Sequence, residues 1–254
     1  MREDSSGTPP EGSGATGPLA ILFDVDATLI STGGAGTRSW RWAFEKLHGI
    51  PADIGKFSEA GMTDPVVARR TFRSVIGREP TEQEMSRLLA VYLERLPEEV
   101  NNSEQYRVLP GAEALLGRLC EEGYLLGIVT GALEAAAHIK LARACLNRFF
   151  AFGGYGSDSD DRSELTRRAI QRAGVILGRR LREASVYVVG DTPKDMEAAR
   201  EVGAVAVGVA SGHYSAEGLR EAGADVVLAS LEEPMPGQVD REAQLAGASA
   251  LDIR

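Results

Sequence analysis

The segment Ile21-Leu22-Phe23-Asp24-Val25-Asp26-Ala27-Thr28-Leu29-Ile30 closes an apolar run that begins at Leu19 and ends abruptly in two aspartates. A short apolar run bounded by charge reads as a buried parallel strand whose C-terminal end opens onto a site. In open α/β sheets ligands bind at that edge. Asp24 and Asp26, two residues apart on a straight strand, point to the same side. Two neighbouring carboxylates repel, so the arrangement invites a hard cation that prefers oxygen ligands. The segment by itself also reads as a strand followed by an acidic turn, and the rest of the chain decides between the two.

The chain has 254 residues, 43% hydrophobic and 26% charged, with a net charge of -9. That composition suits a globular protein of one large domain, or one domain with an insert. The acidic balance argues against nucleic acid or an anionic membrane surface as partner, while leaving room for a small anionic substrate in a local positive pocket. Cys120 and Cys145 lie far apart in apolar helical patterns and read as buried free thiols in a reducing compartment. His48, His138 and His213 are not at metal spacing, so a zinc site is not expected. Residues 1–18, rich in Gly, Ser, Pro and Thr, read as a disordered tail rather than a signal peptide. No apolar run reaches the length of a membrane span, and a cytoplasmic location is expected.

After the opening strand, Gly33, Gly34 and Gly36 mark a tight connection. Trp40, Ala43, Phe44 and Leu47 then recur at helical spacing up to Gly49. Trp40 and Trp42 read as helix packing. Gly61-Met62-Thr63-Asp64-Pro65 precedes a helix over Val66–Ile76, and Thr81-Glu82-Gln83-Glu84 is a capping box opening another. No strand-like run is visible from Gly36 to Arg107, so residues 35–108 are expected to form a helical insert.

From Leu109 strands and helices alternate. A helix follows Pro110-Gly111. The strand Tyr124–Val129 ends at Thr130-Gly131, and a helix spans Leu133–Leu146. An aromatic strand is expected at Phe149–Phe152, then a Gly/Asp-rich loop, and a helix from about Ser163. The strand Val186–Val189 ends at Gly190-Asp191, and further strands are expected at Ala204–Val209 and Asp225–Leu228. This alternation predicts an α/β, Rossmann-like, doubly wound parallel sheet. Residues 19–34 and 109–231 would form that core and 35–108 an inserted α-helical domain, with a flexible C-terminal tail at 232–254.

The parallel topology brings Asp24, Asp26, Thr130-Gly131, Arg162 and Asp191 to one sheet edge. Carboxylates for a cation, a hydroxyl with backbone N–H groups, and a guanidinium together suit a phosphoryl group.

In sequence order these residues resemble the four motifs of the haloacid dehalogenase superfamily of aspartyl-phosphate-forming hydrolases. Phe23-Asp24-Val25-Asp26-Ala27-Thr28-Leu29 is similar to the first, Ile128-Val129-Thr130-Gly131 to the second, Arg162 to the third and Gly190-Asp191-Thr192-Pro193-Lys194-Asp195 to the fourth. The helical insert resembles the family's C1 cap. The resemblance covers residues 19 to 230 or so and implies a Mg2+-dependent phosphatase acting on a small phosphorylated metabolite. Asp24 would be the nucleophile, and Asp26 the general acid and then the base. The Asp24 carboxylate, the Asp26 backbone carbonyl and Asp191 would hold the metal. Asp195 would orient a metal-bound water or Arg162. Thr130, the Gly131 amide and Arg162 would bind phosphoryl oxygens.

Asp26 favours phosphate chemistry, because the family's dehalogenase branch lacks an acid there. Two departures stand out: Ala27 where Gly is commonest in the family, and Arg162 where Lys is more usual, a change of donor geometry at constant charge. Gly61-Met62-Thr63-Asp64-Pro65 resembles the substrate-facing cap loop of phosphoglycolate-phosphatase-like members. Thr63 there reads either as a substrate contact or as a helix N-cap. Lys46 and Lys56, the lysines of the insert, do not mark a Schiff-base site. Lys140, mid-helix, is expected to lie well away from the strand end, Lys194 to face solvent, and His213 to sit in a surface turn. A phosphosugar mutase of the β-phosphoglucomutase type shares core and cap, and a non-catalytic regulatory protein would keep the fold alone. The resemblance names no substrate and no oligomeric state.

Overall fold

The computed structural model describes residues 19–236. The expected tail at 1–18 and residues 237–254 lie outside them. Six parallel strands form the main sheet: β1 (Ala20–Phe23), β4 (Leu125–Thr130), β5 (Phe152–Tyr155), β6 (Val186–Gly190), β7 (Val205–Val209) and β8 (Val226–Leu228), in the order β5-β4-β1-β6-β7-β8. The chain leaves central β1 for β4 on one side and later for β6 on the other. This reversal is the point at which open sheets bind ligands. The α/β expectation holds.

Alternation along β1 explains its burial on both faces. Ala20 and Leu22 pack with Leu165, Ala169, Met196 and Ala199 of α6 (Arg162–Ile176) and α7 (Pro193–Val202). Ile21 and Phe23 pack with Leu115 and Leu119 of α4 (Ala112–Glu121) and with Ala136 and Leu141 of α5 (Glu134–Ala142). Between β2 (Ile30–Ser31) and β3 (Arg107–Val108) lie α1 (Ala35–His48), α2 (Asp64–Ile76) and α3 (Glu82–Asn101). Trp40 stacks on Tyr92 at 4.0 Å with the rings 7° from parallel, which joins α1 to α3. Both residues pack in the same hydrophobic cluster as β1's Ile21 and Phe23. The Thr81/Glu84 capping box opens α3 as its sequence predicts.

Several expectations need correction. β2 and β3 form an antiparallel two-stranded ribbon where no strand was expected; two residues per strand are too few to carry a period. The aromatic strand lies at Phe152–Tyr155, not Phe149–Phe152. Its Gly154 reads as a loop residue, yet a Cβ there would overlap the Leu165 carbonyl of α6, so glycine serves close helix–strand packing. A short helix, α8 (Ala216–Glu221), was not foreseen. Cys120 and Cys145 are exposed, not buried. Within residues 232–236, expected to begin a flexible tail, Met235 is 1% exposed and Glu233 accepts the Ala229 N–H, while Glu232, Glu233 and Pro234 are exposed. Among the described residues no helix is long and apolar enough to cross a membrane.

Ala27 stands in the turn between the aspartates and β2 with φ +60°. Its N–H donates to the Ile30 carbonyl at 2.8 Å, which closes the turn. A left-handed backbone costs an alanine about 1–2 kcal/mol, part of which glycine's larger unfolded-state entropy would offset. Ala27→Gly is therefore expected to stabilise the protein by about 0.5–1 kcal/mol in urea denaturation.

Candidate active site

Register sets the site. Phe23 pairs with Ile128 on one side and Val189 on the other. The residues that follow, Asp24, Thr130 and Asp191, therefore leave three adjacent strands at one edge. Asp24 is still tied to the sheet, its N–H donating to the Val189 carbonyl at 2.9 Å.

Asp24, Asp191 and Asp195 are all buried, and one carboxylate oxygen from each lies within 4.8 Å of the others. Thr28 Oγ1 donates to Asp191 Oδ1 at 3.2 Å. The Ser211-Gly212 loop closes the opposite side: Ser211 Oγ donates to the Ala27 carbonyl at 2.7 Å, and a Cβ on Gly212 would overlap the Asp191 carboxylate. Burial raises Asp24 to about 7, opposed by Arg162 and reinforced by Asp195 and Asp26. Burial likewise raises Asp191 to about 8, reinforced by Asp24 and Asp195.

Arg162 is the cation set against these acids. Asp161 caps α6 by accepting the Ser163 and Glu164 N–H groups, which sets Arg162 at the helix start with its guanidinium across the site. Its Nη2 lies 3.0 Å from Asp24 Oδ1 and 2.5 Å from Asp195 Oδ1, and its Nε donates to Asp195 Oδ1 at 2.7 Å. Nη2 makes these ion pairs at angles outside hydrogen-bond geometry, so it is a buried donor still open to an acceptor. Nη1 reaches the Gly61 carbonyl at 3.3 Å. The nearby acids are engaged elsewhere: Asp160 pairs with Arg69 at 3.0 Å, and Asp161 is the helix cap.

Asp195 has both oxygens committed. Oδ2 accepts from the N–H and hydroxyl of Thr192, at 3.0 and 2.7 Å, in the capping box of α7, and Oδ1 holds Arg162. Of the two roles expected for Asp195, its bonds match that of orienting Arg162.

Thr130 Oγ1 is buried and accepts the Ala132 N–H at 3.3 Å. The loop Gly61–Asp64 sits directly on this strand end. Asp64 N–H donates to the Gly131 carbonyl at 2.7 Å, Asp64 Oδ2 accepts the Leu133 N–H at 3.0 Å, and a Cβ on Gly131 would overlap the Met62 carbonyl. Thr63 occupies the N-cap position of α2, yet its side chain makes no capping bond. It is 2% exposed and its Oγ1 has no partner. A hydroxyl buried in this way costs about 1–3 kcal/mol, a cost a ligand acceptor would offset.

A family model for haloacid dehalogenase-like hydrolases matches residues 18–203. The chain belongs to the haloacid dehalogenase-like hydrolases. Two proteins similar to this hydrolase are the "Probable phosphatase IndB" of Dickeya dadantii (strain 3937) and a phosphoglycolate phosphatase of Pseudomonas fluorescens (strain Pf0-1). The first is 24% identical over 224 residues, covering 84% of this chain and 90% of the relative. The second is 24% identical over 230 residues, covering 90% and 82%. In fold the hydrolase is similar to the β-phosphoglucomutase of Clostridium difficile, with a TM-score of 0.67, 18% identity, and coverage of 91% of this chain and 99% of that one.

Two expectations about cations are corrected in this hydrolase. Lys140, expected far from the strand end, is buried, and its Nζ lies 2.5 Å from Asp26 Oδ2. Leu133, Ala136, Ala137, Lys140 and Leu141 are all buried at helical spacing, so the lysine sits on the apolar stripe of α5. That periodicity was readable and gives the signal for its burial. Lys194 is half-buried, 4.0 Å from Glu59, rather than free in solvent. His213 is exposed in its turn, as expected.

Proposed function

We propose that this chain is a Mg2+-dependent phosphatase that cleaves a small phosphorylated metabolite through a phosphoryl group carried on Asp24. The observation that supports this best is the placement of one buried carboxylate, Asp24, between a guanidinium on one side and Asp191 on the other. Asp24 would attack phosphorus. Asp26 would give a proton to the leaving alcohol oxygen and then take one from the attacking water. Arg162, Thr130 and the Gly131 N–H would hold the phosphoryl oxygens. Thr63 would face the substrate from the loop above.

The donor set fits a hard divalent cation: three buried carboxylates face one arginine, an excess of negative charge that burial makes costly. Asp24, the Asp26 backbone carbonyl and Asp191 would hold Mg2+, which when bound neutralises charge on the phosphoryl oxygens. Helices between residues 35 and 108 would act as a cap that excludes water. The net charge of -9 and the two free thiols accord with a cytoplasmic protein.

The reading is tested by offering purified protein with Mg2+ a broad panel of phosphate monoesters. Steady release of inorganic phosphate without a sugar bisphosphate is expected. Turnover dependent on such a bisphosphate would instead indicate a mutase, and no turnover of any ester would sink the enzyme reading.

Metal binding carries a pH signature. Asp24 and Asp191 have folded pKa values of about 7 and 8, above the ordinary carboxylate value of about 4. Below pH 4 both states are protonated. Above it the unfolded chain ionises first, so metal-free protein loses stability as pH rises to about 8. A cation binds the ionised pair. Excess Mg2+ is expected to raise Tm more at pH 8 than at pH 6; at a hundredfold excess over Kd the bound ion adds about 2.7 kcal/mol of stability. Asp191→Asn should remove the shift. Thermal unfolding at both pH values, with and without Mg2+, measures it.

A further inference from the structure

The geometry points to Lys140 as a positioning residue for Asp26: its buried ammonium holds the proton-moving carboxylate in one orientation beneath the closed Gly61–Asp64 loop. The inference rests on the phosphatase reading above and adds to it a residue that none of the four sequence motifs contains.

Asp26 stands at the start of the turn after β1 and its side chain is 45% exposed. Among the described residues, Lys140 is its one side-chain partner. A half-exposed carboxylate with no such partner samples several rotamers. Proton transfer to a leaving oxygen requires a donor within hydrogen-bond reach. Lys140 supplies the restraint from beneath, since its own side chain is 7% exposed.

Lys140 is itself held on three sides. Its stem lies on the apolar stripe of α5, where leucine or methionine would pack without a desolvation cost. Its backbone carbonyl accepts the Tyr106 hydroxyl at 2.9 Å, just before β3. From above, Asp64 and the buried Tyr92 act on the ammonium electrostatically, though neither lies within ion-pair distance. Asp64 is pinned in turn to both Gly131 and Leu133, the latter at the start of α5. The ammonium thus pairs with the acid of the sheet edge and feels the field of the acid in the overlying loop. A charge kept where an apolar residue would pack better calls for work that an apolar residue cannot do.

The test exploits leaving-group chemistry. An alkoxide needs a proton as it departs, whereas 4-nitrophenolate does not. For each ester, kcat/KM reports the steps through alcohol release. With Mg2+-loaded full-length protein, Lys140→Met is expected to lower kcat/KM for glycerol phosphate by about 10²-fold. The value for 4-nitrophenyl phosphate should fall by less than about tenfold. In an Asp26→Asn background the same substitution should change neither value further. Lys140→Arg should restore part of the loss, and Lys140→Gln substitutes where the Met variant does not fold. Equal losses on both esters, or an effect that persists without Asp26, would reduce Lys140 to a packing residue and overturn the inference. Wild-type rates in Lys140→Met would overturn it while leaving the phosphatase reading intact. A wild-type protein that hydrolyses neither ester, nor any other in the panel, would remove both.

Discussion

Asp24→Asn is expected to abolish phosphate release, by about 10⁴-fold or more in kcat, while leaving the protein folded. The amide keeps the size and shape of the carboxylate but cannot attack phosphorus. The side chain is buried, and burial already favours its uncharged form. Asparagine therefore removes a desolvation cost and one of three crowded negative charges. Arg162 loses one partner and keeps Asp195. The expected result pairs dead chemistry with a melting temperature at or above wild type in metal-free buffer. Steady-state phosphate assays and calorimetry on one preparation measure both. A variant that retained turnover would show that another group makes the attack.

Arg162→Met should have the largest effect on folding. Arg162, Asp24 and Asp195 have side-chain exposures of 8%, 8% and 1%. Removing the guanidinium leaves two buried carboxylates without their cation, and breaking a buried pair from one side costs about 3–5 kcal/mol. Part of that loss should be recovered in Arg162→Met/Asp195→Asn, because the second change removes an acid that the first left unpaired. Activity should not recover, since on the proposed reading the donor that would hold the phosphoryl oxygens is gone. Arg162→Lys separates charge from geometry. Lysine keeps the charge, but a single ammonium cannot hydrogen-bond Asp195 through one nitrogen, pair with Asp24 through a second and reach the Gly61 carbonyl through a third. Its stability should lie between wild type and the Met variant in urea denaturation, with a raised KM for the phosphate ester.

The sequence made most of the sheet edge legible. Asp24, Thr130 and Asp191 end apolar runs that can only be strands, and parallel strands with short crossovers present their ends together. The Thr81/Glu84 capping box was readable because both partners are local. Elements that failed to read were those whose pattern is too short or is overridden by a neighbour. The β2–β3 ribbon has two residues a side. Gly154 looks like a loop residue until α6 is laid against it. Cys145 belongs to an apolar pattern, yet it stands in a left-handed turn after α5 and is exposed.

By itself the sequence determined the α/β alternation, the family and the acids at the strand ends, because each follows from local spacing or from motifs in order. The tertiary structure alone decided the pairings. It gave Arg162 to Asp24 and Asp195 rather than to Asp160 or Asp161, set Thr63 buried without a partner, and brought Lys140 under Asp26. The Arg162–Asp195, Lys140–Asp26 and Arg162–Asp24 contacts join residues 33, 114 and 138 positions apart. No local period encodes them, since they arise where helix ends and strand ends converge and burial forces each charge to find its partner. The opening aspartates thus belong to different networks, Asp24 to a buried acid cluster and Asp26 to a lysine on a neighbouring helix.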